Sequence, residues 1–228
     1  MLLSENTKSQ KAVGWKNMIL QLTPHTQNSK GYNLCPAANG CEKTCLVYSG
    51  MGRFKNVYNG RLKRTEQFIA DKPGFVNKLI TEINKLSTKH PKLAIRLNGY
   101  SDIMWERIKV NGKNIFQYFE DNKNVVFYDY TKIILRMSLD IPNYHLTFSG
   151  STNNWFDCER LLIDKKNVSI VFEKDLPQVF NGWIINDGDL SDLRFLDPPY
   201  TICGLRYKNA AGVDNKKEIM ISKLVYTT

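Results

Sequence analysis

The chain is 228 residues long, 42% hydrophobic, and carries a formal net charge of +10. That length suits one domain spanning residues 1–228 with a sizeable core. No apolar run reaches the roughly 18 residues of a membrane span, and the N-terminus, MLLSENTKSQKAVGWK, turns polar after three residues, so neither a membrane helix nor a secretory signal is expected and the cytoplasm is the expected location. The positive balance favours polyanionic or phosphate-bearing partners, through an attraction that salt screens.

Taken in chain order, Met18–Leu22 reads as a first strand, followed by a long polar loop that holds three cysteines. Asn56–Ala70 and Phe75–Leu86 read as helices, the second with Phe75, Leu79, Ile83 and Leu86 on one face. A strand at Leu93–Leu97, a helix near Ile115–Phe119, a strand at Val125–Tyr128 and a helix from about Lys132 follow. Tyr144–Phe148 reads as strand, Cys158–Ile163 as helix, and Val168–Phe172, Trp183–Ile185 and Thr201–Leu205 as strands, with a final edge strand expected at Lys217–Tyr226. Strands alternating with helices imply βαβ units and a mainly parallel sheet. Six or seven of them suit an open or partial barrel better than a full eight-unit one.

Polar residues recur after the strands: Asn98-Gly99-Tyr100-Ser101-Asp102, Asp129-Tyr130-Thr131-Lys132, Ser149-Gly150-Ser151, Glu173-Lys174 and Asn186-Asp187-Gly188-Asp189. In parallel α/β folds such positions share one rim, where sites are built. Helix capping is the structural alternative, most natural for Asp157 and Thr131. Asp102, Asp129, Asp187 and Asp189 could act as general acid or base or bind a ribose hydroxyl. Lys132 and Lys174 could bind a carboxylate or phosphate. Trp105 and Tyr130 read as packing residues. His25, His90 and His145 show no catalytic spacing.

Of five cysteines, three lie within eleven residues, in NLCPAANGCEKTCL, and Cys158 and Cys203 stand alone. Clustered thiols outside a disulfide framework point to metal or redox chemistry. Pro36 and Gly40 let the C-x5-C-x3-C loop turn back so that Cys35, Cys41 and Cys45 converge. Thiolates select zinc or iron–sulfur clusters. A cluster on three cysteines leaves one iron open to a substrate or to S-adenosylmethionine. Zinc would need a fourth ligand, for which His25 and Cys158 are possible donors. Arg53, Lys55, Arg61, Lys63 and Arg64, interleaved with Phe54 and Tyr58, follow the loop and read as a basic helix facing nucleic-acid phosphates or as a solvated face.

The cysteine loop NLCPAANGCEKTCLVYSG, with RLNGYSDIMWE, FYDYTK, LTFSGS, VSIVFEK and INDGDLSDLRFLDP, resembles the phage "gene eighty-eight" family from about Asn33 to Lys208. More distantly, the order of features is similar to that of phage proteins with a three-cysteine motif and a radical-SAM-like fold. On that resemblance the matching positions are Ser101-Asp102, Thr131-Lys132, Ser149, Glu173, and Asp187-Gly188-Asp189 with Arg194. It implies a partial (β/α)6 barrel with a four-iron four-sulfur cluster on its C-terminal rim and, for a phage-encoded chain, the host cytoplasm. The usual radical-SAM loop is C-x3-C-x2-C with an aromatic residue before the last cysteine; here the spacing is longer and Thr44 stands there.

The leading expectation is therefore a radical-SAM-like iron–sulfur enzyme, served by a reductant, that modifies a nucleic acid or nucleotide-like substrate. Cys35, Cys41 and Cys45 would hold the metal. Asp102, Asp129, Lys132 and Asp187 are the candidate catalytic residues, and Asn98, Ser101, Ser149, Glu173, Asp189 and Arg194 the candidate cofactor-binding ones. Two alternatives stand beside it: a zinc-stapled base-exchange or glycosyl-transfer enzyme with Asp129 or Asp187 as nucleophile, and a non-enzymatic basic module that binds nucleic acid or a host protein.

Overall fold

The computed structural model describes residues 1–6, 8–38 and 40–208, so the strand expected at Lys217–Tyr226 lies outside the described residues. Eleven strands are described: β1 (Leu3–Ser4), β2 (Lys16–Leu20), β3 (Leu93–Arg96), β4 (Lys109–Val110), β5 (Lys113–Asn114), β6 (Val125–Thr131), β7 (Tyr144–Ser149), β8 (Val168–Phe172), β9 (Val179–Phe180), β10 (Trp183–Asp187) and β11 (Ile202–Arg206). Nine form one sheet in the order β1-β2-β3-β6-β7-β8-β11-β10-β9. All neighbours from β2 to β10 are parallel, while β1 and β9 join antiparallel at the two edges. The result is a mixed α/β fold with a largely parallel sheet that is not closed, since β1 and β9 do not pair with each other.

The helices are α1 (Lys55–Ala70), α2 (Lys72–Ser87), α3 (Ile115–Tyr118) and α4 (Trp155–Ile163). Asp71 starts α2 by accepting the Gly74 N–H at 2.9 Å, and Pro73 occupies the first turn, where a missing N–H costs nothing. One face of the sheet buries Leu20, Leu93, Ile95, Val125 and Phe127 against Phe68, Phe75, Leu79 and Ile83 from α1 and α2. Further along, Phe148, Val168, Ile170 and Ile202 pack on Trp155, Cys158 and Leu162 of α4. The opposite face is thinner and more polar: Ala94 and Tyr128 meet Ala12, Leu193 and Phe195, with the Tyr128 hydroxyl donating to Asn17 at 2.9 Å.

Two expectations are corrected, the helix from Lys132 and the cap at Asp157, and the order of the later strands is new. The helix expected from Lys132 is a short 3-10 turn, Ile134–Ser138. The later strands do not follow in simple succession, because β11 inserts between β8 and β10. Burial explains this: Ile202, Cys203 and Gly204 are all buried, as a central parallel strand requires, whereas every residue of β10 is at least partly exposed. Two hairpins, β4–β5 and β9–β10, turn on Asn111-Gly112 and Asn181-Gly182, all four at positive φ, the backbone that Asn-Gly turns supply. Asp157 does not cap α4: it sits in the first turn and faces Arg160 at 3.6 Å.

Candidate metal centre

The cysteine loop leaves the C-terminal end of β2 and is tied down at both ends. The Thr23 N–H donates to Thr65 Oγ1 of α1 at 2.8 Å. The Leu34 N–H donates to the His25 carbonyl at 3.1 Å, and the Asp102 N–H to the Leu34 carbonyl at 2.8 Å. The Cys35 thiol donates to the Tyr100 carbonyl at 3.3 Å, which fixes it over the loop that follows β3. Gly99 lets that loop approach β2, since a Cβ there would sit 2.8 Å from the Leu20 carbonyl oxygen. Cys41 and Cys45 lie on a run of short 3-10 turns, Cys41–Thr44, Leu46–Tyr48 and Gly50–Arg53, that leads into α1.

Cys35, Cys41 and Cys45 are free and partly buried. Burial pushes the Cys35 thiol up to about 12 and Cys45 to about 11, and raises Cys41 as well. Charge on Cys41 or on Cys45 is felt at Cys35, and charge on Cys41 at Cys45. Against burial, the His25 backbone N–H faces the Cys35 sulfur, and the Val47 and Leu46 N–H groups and Arg61 favour a thiolate at Cys45. Lys132 does the same for Cys41 and Cys158, and burial lowers its own ammonium. Its Nζ donates to the Ser149 carbonyl at 2.9 Å, bridging the ends of β6 and β7. Among the described residues, no three His, Cys, Asp or Glu groups come close enough to hold one metal ion.

Beside the loop lies a buried polar network that the sequence reading found only in part. Asp102 accepts from the Lys132 N–H at 2.8 Å, Thr131 Oγ1 at 3.1 Å and Arg136 Nη1 at 2.7 Å. Arg136 forks onto both Glu106 oxygens at 3.0 Å and donates to the Tyr144 hydroxyl at 2.6 Å. Asp129 is fully buried and accepts from the Asn98 N–H at 2.7 Å, the Asn98 amide at 3.2 Å and the Tyr144 hydroxyl at 3.0 Å. Burial lifts its carboxyl to about 7 and raises Asp102 too, against the pull of their hydrogen bonds and of Arg136. Asn98 Oδ1 in turn accepts from Ser101, the Ile103 N–H and Trp105 Nε1. In the structure Asn98, Ser101, Asp102 and Asp129 thus act as a clasp for the loop after β3. Arg136, Glu106 and Tyr144 were not singled out from sequence, because their spacing carries no local pattern.

The remaining candidates sit further along the rim. Glu173 is exposed at the end of β8. Asp187 pairs with Arg206 Nη1 at 2.9 Å, and Asp189 lies 3.4 Å from the same nitrogen and 3.6 Å from Lys208. Arg194 is buried, bonded to the Ser191 carbonyl and the Cys203 sulfur and 3.2 Å from Asp197. Gly188 is required there, since a Cβ would collide with Cys203 Sγ and Arg194. The basic run of α1 is split: Arg53, Lys55 and Lys63 are exposed, Arg64 Nε donates to the Gln21 carbonyl at 3.1 Å, and Arg61 is 1% exposed. A cavity of about 280 Å³ opens at the opposite ends of β7 and β8, between His145, Lys166, Asn167 and Phe195, and no cysteine lines it.

Fold and site together define an α/β protein with a three-thiol loop on the C-terminal rim of a parallel sheet. The family model for Gene product 88 matches residues 1–220, and the chain belongs to that family. The match extends the resemblance read from Asn33–Lys208 to nearly the whole chain. Neither the curated proteins nor the solved structures offer a match.

Proposed function

We propose that this protein is an iron–sulfur enzyme of radical-SAM-like, partial-barrel type that acts on a nucleic acid or nucleotide-like substrate. The observation that carries the reading is that three free, partly buried thiols lie on one loop at the C-terminal rim. Among the described residues no three donors gather about one ion, which speaks against a single-metal site and leaves a polynuclear cluster as the group to test. A cluster takes each thiolate on a different iron and so spans a wider gap, whereas a structural zinc gathers all its ligands about 2.0–2.3 Å from one centre.

Cys35, Cys41 and Cys45 would hold the cluster. When bound, it supplies an electron and one iron free to take a substrate or S-adenosylmethionine, the chemistry being the cofactor's own. The chain's residues do the rest. The clasp of Asn98, Asp102 and Asp129 fixes the floor beneath Cys35. Lys132, held by the Ser149 carbonyl, keeps a cation beside Cys41. Loading requires loss of the thiol protons, and the backbone N–H groups at Cys35 and Cys45 receive the charge that appears there. On the substrate side, exposed Tyr32 and Phe54, with the Arg53 guanidinium 5.8 Å from the Phe54 ring centroid, offer the stacking and charge that a nucleic acid or nucleotide uses.

Anaerobic purification with iron and sulfide analysis tests the reading. Expected are a brown protein with about four irons per chain and loss of colour in Cys35→Ser, Cys41→Ser and Cys45→Ser. Protein that stays colourless through reconstitution, or that keeps zinc in its place, overturns it. Salt-dependent retention of single-stranded oligonucleotides, weakened by Arg53→Glu, is expected for the substrate class; unaltered retention removes that part.

A further inference from the structure

Arg61 occupies an unusual place. It lies on the buried stripe of α1 with Thr65 and Phe68, at spacings where a helix normally presents apolar side chains to its core. It is 1% exposed. Its Nη2 donates to the Gly52 carbonyl at 2.8 Å, but Nε and Nη1 are buried with no hydrogen-bond partner. Among the described residues no carboxylate pairs with it, in contrast to Arg136, which is as deeply buried and forms ion pairs with both Asp102 and Glu106. The Tyr100 ring, with its centroid 5.0 Å from the guanidinium carbon, compensates part of the charge.

An uncompensated buried cation costs several kcal/mol, and an unmade buried donor adds to that cost. An Arg stands here although Leu or Met would fill the stripe without either penalty. The missing acceptor is sought where Arg61 sits, against the cysteine loop: its Nη2 is held by the Gly52 carbonyl, seven residues after Cys45, and the Tyr100 residue it stacks on holds the Cys35 thiol. Lys132 brings a second cation to Cys41 from the other flank. Asp102, an acid on that flank, is committed to Arg136. Positive charge thus stands on both flanks of the loop, and the loop's one acid, Glu42, accepts from the Gly40 N–H at 3.0 Å and is not paired with Arg61.

We infer that Arg61 is the built-in counter-cation of the three-cysteine centre, a positioning residue whose unused N–H groups are held for the sulfur atoms of an anionic, thiolate-held cluster. This rests on the iron–sulfur reading above. Three thiolates around an iron–sulfur core leave the assembly net negative, so its binding supplies both the charge and the acceptors that Arg61 lacks. Lys132 then shares that charge from the Cys41 side as a less buried and more replaceable partner.

The test is anaerobic reconstitution of the full-length wild type, Arg61→Lys, Arg61→Met and Lys132→Met with ferrous iron and sulfide. Cluster loss to a chelator is followed by absorbance, and the midpoint potential by redox titration. Arg61→Met is expected to lose its cluster about 10–100-fold faster, the range seen when groups supporting metal ligands are removed, and to show a more negative potential, since reduction adds negative charge with no cation beside it. Arg61→Lys should keep the potential near that of wild type while losing cluster at an intermediate rate, and Lys132→Met should show the smaller loss. Circular dichroism of the metal-free proteins separates misfolding from the effect sought; should Arg61→Met not fold, the Arg61→Lys loss rate decides. Loaded variants at Arg61 with wild-type loss rates and potentials overturn the inference alone, whereas a wild type that takes up no iron overturns the iron–sulfur reading beneath it.

Discussion

Two neighbouring parts of one rim are built on opposite terms. Around Asp102, Asp129 and Arg136, every charge meets an opposite charge or a hydrogen bond: Arg136 alone reaches Asp102, Glu106 and Tyr144. A few residues away, the cysteine loop carries three thiols raised by burial, and Arg61 beside it has two buried donors without acceptors. A satisfied network rigidifies the fold and asks for nothing further. An unsatisfied one of the same depth is costly, and on the proposed iron–sulfur reading it marks where the cluster would be repaid. The contrast separates acids that hold the rim in shape from groups that face the centre, and both sets had been candidates for chemistry on sequence grounds.

Substitutions can sharpen this contrast or erase it. The largest effect is expected for Arg136→Ala, which strands Asp102 and Glu106 without their cation and should cost about 3–5 kcal/mol in urea unfolding of the metal-free protein; a loss below about 1 kcal/mol would show that the clasp is not the matched network described. Asp129→Asn comes next and shows itself in pH. The Asp129 carboxyl is raised to about 7 when folded against about 3.9 unfolded, so the stability it contributes is fully present below about pH 4 and is lost as pH rises through about 7. The loss is on the order of a few kcal/mol. Unfolding curves at several pH values should therefore decline more steeply across that window for wild type than for Asp129→Asn, and parallel curves would contradict the raised carboxyl.

Gly99→Ala places a Cβ 2.8 Å from the Leu20 carbonyl oxygen and 2.9 Å from Ile19 Cγ2, and should cost about 1–3 kcal/mol, the range for overpacking. Arg61→Met is the informative opposite of Arg136→Ala. In the metal-free protein it should leave the thermal midpoint unchanged or raise it, because an apolar side chain of similar volume replaces an uncompensated charge; a fall as large as that of Arg136→Ala would make the two regions alike. The smallest effect belongs to Asp187→Asn. Its partner Arg206 is largely solvent-exposed, so about 0–1 kcal/mol is expected, declining with added salt.

The parallel sheet, α1, α2 and the shared rim were legible because strands buried on both faces and the stripe of Phe75, Leu79 and Ile83 leave strong local patterns. Both Asn-Gly hairpins were legible in principle, in VNGK and FNGW, but their two-residue strands are too short to stand out without the turn. The insertion of β11 between β8 and β10 was not, since strand order depends on how both faces are covered. Arg61 left a trace, an arginine on the same face as Thr65 and Phe68, yet a run of five basic residues reads more readily as a solvated surface. By itself the sequence determined that three thiols lie in one loop after the first parallel strand, and that the chain belongs with the Gene product 88 family over residues 1–220. Only the tertiary structure decided which charges around that loop are matched. Pairing of buried charge is a matter of distance in space, and Arg136 meets its acids about 30 residues back along the chain, whereas Arg61 keeps two buried donors without an acceptor among the described residues.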